Sequence, residues 1–148
     1  MHPVHEYLKA LRDIRLSGGG VRETSYYPVL TKLLDAAGDD LKPTVRCITT
    51  LRNTGAGIPD GGFFTREQFP RATASEPDEG QVPSRGALEV KGLDENVFEI
   101  AKSEQVATYL ARYGQVLVTN LRDFVLVGSD HTGQRRILES FEIAPDLD

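Results

Sequence analysis

Apolar residues recur at helical spacing along the first quarter of the chain. Val4, Tyr7, Leu8, Leu11 and Ile14 follow the three-four rhythm that gathers side chains on one face, with Glu6, Lys9, Arg12 and Asp13 opposite, which predicts an amphipathic helix over residues 4–16. The run Ser17-Gly18-Gly19-Gly20 cannot continue a helix cheaply and ends it. A second helix is predicted over residues 22–37, with Thr24 or Ser25 as caps, Pro28 tolerated in the first turn, an apolar stripe running to Leu33, Leu34 and Ala37, and Gly38 at its close. The period then drops to two. Residues 44–50, rich in β-branched side chains, read as a strand, and the polar turn of residues 52–57 leads into a second strand carrying Asp60, where Gly61 and Gly62 suit a bulge or a close backbone approach by a ligand.

Residues 65–85 break the pattern with three prolines, several acids and few apolar positions, and read as a long flexible loop. Strand character returns over residues 87–92. A third helix is predicted over residues 97–113 with Ile100, Ala101, Val106, Ala107 and Leu110 toward the core. Residues 115–120 and 123–127 are nearly continuous apolar strands, suited to a sheet covered on both faces, and residues 134–143 form a weaker strand or a strand-helix transition. The expected fold class is therefore α/β, a mixed central sheet flanked by helices. The polar ending Pro145-Asp146-Leu147-Asp148 supplies no closing element, as expected of a domain excised from a longer polypeptide.

A length of 148 residues supports one domain, and 39% hydrophobic with 26% charged residues is ordinary for a soluble globular chain. No apolar run approaches a membrane span and the N-terminus lacks a signal-peptide core, so a cytoplasmic location without membrane contact is expected. The single cysteine, Cys47, has no partner for an internal disulfide and no neighbouring histidine in sequence, and reads as a small buried strand residue. His2 and His5 stand at a metal-compatible i, i+3 spacing but lack further ligands nearby, and read as helix-start residues. The net charge of −5 argues against strong independent binding to a polyanion, whose affinity comes from Lys and Arg neutralising phosphates.

The chemistry concentrates in Gly57-Ile58-Pro59-Asp60-Gly61-Gly62 and Ala87-Leu88-Glu89-Val90-Lys91-Gly92. On a strand Glu89 and Lys91 share one face while Leu88 and Val90 take the other. If the Asp60 strand pairs alongside, two carboxylates and one ammonium converge. Asp60, Glu89 and the Val90 carbonyl then offer the hard oxygens that Mg2+ takes, with Lys91 placed to position water or to stabilise developing charge. Taken singly, Glu-x-Lys also describes a solvated strand face and Pro-Asp a turn.

Pro59-Asp60 followed by Glu89-Val90-Lys91 resembles the signature of the PD-(D/E)xK nuclease superfamily. Gln105 and Tyr109 are similar to the Gln-x-x-x-Tyr helix of its Mrr-like branch, and Glu23 falls where the superfamily often carries an accessory acid. The order of elements, over about residues 22–127, resembles nuclease domains at the N-terminus of single-polypeptide restriction-modification enzymes, with a longer gap between Asp60 and Glu89. The resemblance implies a restriction-endonuclease-like fold and Mg2+-dependent cleavage of double-stranded DNA, with Mn2+ able to substitute. It assigns metal binding to Asp60, Glu89 and Val90, and catalytic roles to Asp60, Glu89, Lys91, Gln105 and Glu23. It further implies methyltransferase, translocase or target-recognition domains in the same polypeptide and a transient dimer for double-strand cuts. Arg52 and Asn53 flank the site and could touch phosphate, and Lys102 could add charge beside Gln105. The rival expectations are a catalytically inactive module of the same fold that docks DNA or protein, and cleavage of RNA by the same site.

Overall fold

The computed structural model describes residues 2–17, 23–51, 57–71 and 73–143, with the backbone alone at Glu23 and Thr24. Helix α1, Pro3–Leu16, is capped by His2, whose Nδ1 accepts the Val4 N–H at 3.1 Å. That bond accounts for His2 at the helix start, as its sequence suggests. Tyr7 and Leu11 bury the inner face. A 3-10 turn over Glu23–Tyr26 precedes α2, Tyr27–Gly38, so the second helix starts later than its pattern suggests. Pro28 is the reason: having no N–H, it fits only the first turn, where that donor has no helical partner.

Six strands follow: β1 Val45–Ile48, β2 Gly61–Thr65, β3 Ala87–Val90, β4 Val116–Thr119, β5 Asp123–Ser129 and β6 Arg135–Glu142. They lie in the sheet in chain order, β1-β2-β3-β4-β5-β6. All neighbours are antiparallel except β3 and β4, which are parallel and joined across one face by α3, Val97–Ile100, and α4, Glu104–Tyr113. The predicted single helix over 97–113 is thus two. The Ser103 hydroxyl, accepting the Val106 N–H at 3.2 Å, starts α4 afresh, and Asn96 caps α3 in the same way.

Alternation of side chains divides the core. Leu88, Val90, Phe124 and Leu121 meet Tyr7, Leu11, Tyr26 and Leu30 on the α1/α2 face. Ala87, Val116, Val118, Val125 and Val127 meet Val106, Tyr109, Leu110 and Tyr113 on the α4 face. Full burial of a leucine such as Leu11 or Leu30 contributes about 1.5–3 kcal/mol, so both helical layers are held mainly by the sheet they cover. At one edge α2 guards β1, where Asp35 Oδ1 accepts the Cys47 N–H at 2.8 Å. At the other edge β6 is exposed along its length, and a register shift between Leu126 and Val127 blurs its alternation.

The connection between β2 and β3 holds one short 3-10 turn, Arg66–Gln68, and is organised by Gln68. That buried amide accepts the Thr65 N–H at 3.0 Å and the Ser84 hydroxyl at 2.6 Å, and donates to Gln81 Oε1 at 2.9 Å and the Val82 carbonyl at 2.7 Å. Four bonds to one side chain give a segment poor in apolar residues its own polar core. No helix among the described residues is long and apolar enough to cross a membrane.

Candidate active site

The β2–β3 ladder positions the first two carboxylates. Gly61 lies opposite Leu88 and Gly62 opposite Ala87, so the chain just before β2 runs toward Glu89 and Val90. Asp60 is not on the strand, as its pattern suggests, but in the bend just before it. The Ala87 and Lys91 amides donate to β4, at Gln115 and Thr119, which turns the intervening Val90 N–H toward β2. There β2 has already ended, and Asp60 Oδ2 accepts that N–H at 2.7 Å. The carboxylate of Asp60 therefore completes the ladder where the main chain leaves it. Proline at position 59 has no N–H to offer the Val90 carbonyl, which leaves the strand on the same edge as the Val90 amide.

Gly62 marks which face this is. A Cβ there would collide with Pro83, so the loop presses directly on β2, and the close approach expected at the two glycines is made by the protein's own chain. Asp60, two residues away, shares that side with Ala87 and Glu89, the side of α4. Glu89 is almost fully buried, and its Oε1 lies 3.7 Å from Lys91 Nζ, which is about one quarter exposed. Leu88 and Val90 back the group from the opposite core, as their alternation predicts.

Tyr109 closes the site from α4. Burial raises its pKa above the usual phenol value, and the carboxylate charges of Glu89 and then Asp60 raise it further, so the ring senses both acids. Gln105 Nε2 donates to the Tyr109 hydroxyl at 3.3 Å, which opposes the shift. Gln105 is itself exposed and reaches the acids through Tyr109. The tyrosine is the site residue that sequence patterns rank too low, although its i, i+4 relation to Gln105 is the signal for it. Lys102 pairs with Glu99 at 3.8 Å on an exposed turn between α3 and α4. Glu23 opens the 3-10 turn, but its side chain lies outside the described residues, as do Arg52 and Asn53. Cys47 is buried with its thiol pushed up to about 12, chiefly by burial and then by Asp35, and packs in the sheet's core as its strand position suggests.

The donor set fits magnesium. Two carboxylates and a main-chain carbonyl are hard oxygen ligands, and Mg2+ is ordinarily held by one or two carboxylates with water and substrate oxygens filling the remainder. No group of three or more His, Cys, Asp or Glu gathers among the described residues, so the protein's share would rest on Asp60, Glu89 and Val90.

No protein-family model matches the chain, and no curated protein does. Among solved structures, one described as a cryo-EM structure of a DrdV–DNA complex is similar with a TM-score of 0.64 and 20% identity, over 96% of this chain. The match spans only 12% of the chain in that structure. The likeness is one of fold, and the six-stranded mixed sheet between helices is consistent with the restriction-endonuclease-like α/β architecture.

Proposed function

We propose that this chain is a Mg2+-dependent endonuclease domain that hydrolyses DNA phosphodiester bonds, acting as the cleavage module of a restriction-modification enzyme. The observation that carries the proposal is the 2.7 Å bond that fixes the Asp60 carboxylate on the Val90 N–H, next to Glu89 in the chain, with Lys91 3.7 Å from Glu89. The likeness in fold to a protein solved with DNA supports the substrate class. By the resemblance in its motifs, DNA affinity is supplied by methyltransferase, translocase or target-recognition domains, and two copies meet for a double-strand cut; the cytoplasm is the proposed place of action.

In this reading Asp60, Glu89 and the Val90 carbonyl hold the metal, which supplies polarisation of the scissile phosphate and a water of lowered pKa. The chain's own groups do the remainder. The Val90 amide keeps the Asp60 carboxylate from turning away, so its outward oxygen is presented without further ordering. Lys91 lies at the rim of the site, 3.7 Å from Glu89, where its ammonium group can orient the attacking water and meet negative charge that grows on the phosphoryl oxygens. Tyr109 and Gln105 form a hydrogen-bonded wall beside the acids, and Glu23 is proposed as an accessory acid on the strength of the resemblance.

The net charge of −5 favours a second reading, a docking module of the same fold without catalysis. The two separate cleanly. Full-length protein should cut DNA only with Mg2+ or Mn2+, and Lys91→Ala should abolish cutting. Glu89→Gln should remove a magnesium-binding isotherm in calorimetry. Absence of magnesium binding in the parent protein would leave the docking module standing.

A further inference from the structure

A second cluster of charge lies on the same face of the sheet, at the β1 edge. A cavity of about 300 Å3 opens there, lined by Arg46 of β1, Arg66 and Arg71 of the following loop, the hydroxyls of Thr44 and Ser75, and the ring of Phe69. In a chain of net charge −5, three guanidiniums around one cavity are a local reversal of sign. Arg46 is engaged, with Nη1 at 2.6 Å from Asp39 Oδ1. Among the described residues, the Arg66 and Arg71 side chains have no hydrogen-bond or ion-pair partner. Asp35, the acid on the cavity wall, has one oxygen turned to the Cys47 N–H at 2.8 Å, and burial raises its pKa.

We infer that this pocket binds a phosphate group of the nucleic-acid backbone, held by the Arg66 and Arg71 forks with help from Arg46 and the two hydroxyls. The donors suit the ligand: guanidinium forks and hydroxyls are the side chains that grip phosphate oxygens, and Phe69 offers an apolar wall for the adjoining sugar or base. The position suits it too. Arg46 pairs with Phe64, four residues along β2 from Asp60, and Ile48 pairs with Gly62 on the α4 side, so pocket and candidate active site open on one face. Glu76, Asp78 and Glu79 line the neighbouring cavity and bound the positive patch, steering a backbone around that side. The choice of a backbone phosphate rests on the proposed action on DNA; the anion chemistry of the pocket does not.

The test is equilibrium binding of a short duplex by the full protein, without divalent metal, across a series of salt concentrations. Arg66→Ala and Arg71→Ala should each weaken binding roughly tenfold regardless of sequence. The double variant should lower the log-log salt slope by about 2, while Arg66→Lys keeps the slope near the parent's. Asp60→Asn should bind like the parent and fail to cut, which separates this inference from the nuclease proposal: either can fall alone. Parental affinity and slope in the double variant would overturn the inference. So would binding of inorganic phosphate or a nucleoside monophosphate that the double variant loses while duplex binding stays unchanged, since the pocket would then serve a free phosphate.

Discussion

Asp60 does two jobs, as a candidate ligand and as the acceptor that completes the β3 ladder, and two substitutions pull them apart. Asp60→Asn keeps an oxygen that can accept the Val90 N–H now met at 2.7 Å, but removes the negative charge a divalent cation needs. Asp60→Ala removes both. A hydrogen bond to a charged acceptor contributes about 1.5–3 kcal/mol, and Val90 is 1% exposed, so water cannot readily replace the lost partner. Alanine should therefore cost about 2 kcal/mol, which lowers the melting temperature by about 4–8 °C in a domain of this size. Asparagine, trading a charged for a neutral bond, should cost under about 1 kcal/mol. In a plasmid-cleavage assay with Mg2+, both variants should lose more than roughly 100-fold in rate, since changing even an outer partner of a metal costs up to that much. Paired calorimetric melts and cleavage time courses decide the matter. A parental rate for asparagine would refute the catalytic assignment, and equal melting temperatures for the two variants would refute the structural one.

Gln68→Ala should destabilise by about 2–4 kcal/mol by leaving several buried polar partners unmet, and limited proteolysis should then cut within residues 66–84; an unchanged protease pattern would count against Gln68 as the organiser of that loop. The Tyr109 phenol should titrate closer to its ordinary value in Asp60→Asn and Glu89→Gln, because part of its upward shift comes from those charges; NMR titration of the ring reads this, and no change would mean the three groups do not meet. Asp35 has a raised pKa, so between its ordinary value and its folded value the native state holds more protons than the unfolded chain, and stability falls as pH rises through that window. Asp35→Asn should flatten that slope in denaturant melts at successive pH values, while its carbonyl still accepts the Cys47 N–H.

Much of the site was legible because strands write their faces directly into alternation. Leu88 and Val90 against Glu89 and Lys91 announced both the core side and the polar side of β3, and the structure keeps that division. What periodicity does not carry is anything set between segments. The partnership of Asp60 with the Val90 amide depends on where β2 ends relative to β3, and no local pattern states a register. Tyr109 is named by the Gln-x-x-x-Tyr resemblance, but its nearness to Asp60 and Glu89 is set between segments and no spacing states it. The break before α4 was visible in principle, since Ser103 ahead of Glu104 is a helix-start signal that a continuous apolar stripe masks. Gln68 carried one local signal, the Thr65-x-x-Gln68 capping box that starts its 3-10 turn, but its bonds to Gln81, Val82 and Ser84 are set between segments and no spacing states them. The last strand read weakly because its apolar residues Ile137, Leu138 and Phe141 fall out of step across the irregular pairing with β5.

Since spatial neighbours in the sheet are also successive strands in the chain, each junction is a place where the polypeptide can lengthen without any strand changing partners. The connection after β2 is the extended example. Its length has no bearing on how Asp60 meets Glu89, because Gly61 and Gly62 fix that by pairing with Leu88 and Ala87. That segment can therefore change, and with it whatever it touches, while the pairing of β2 with β3 beside Asp60 stays unaltered.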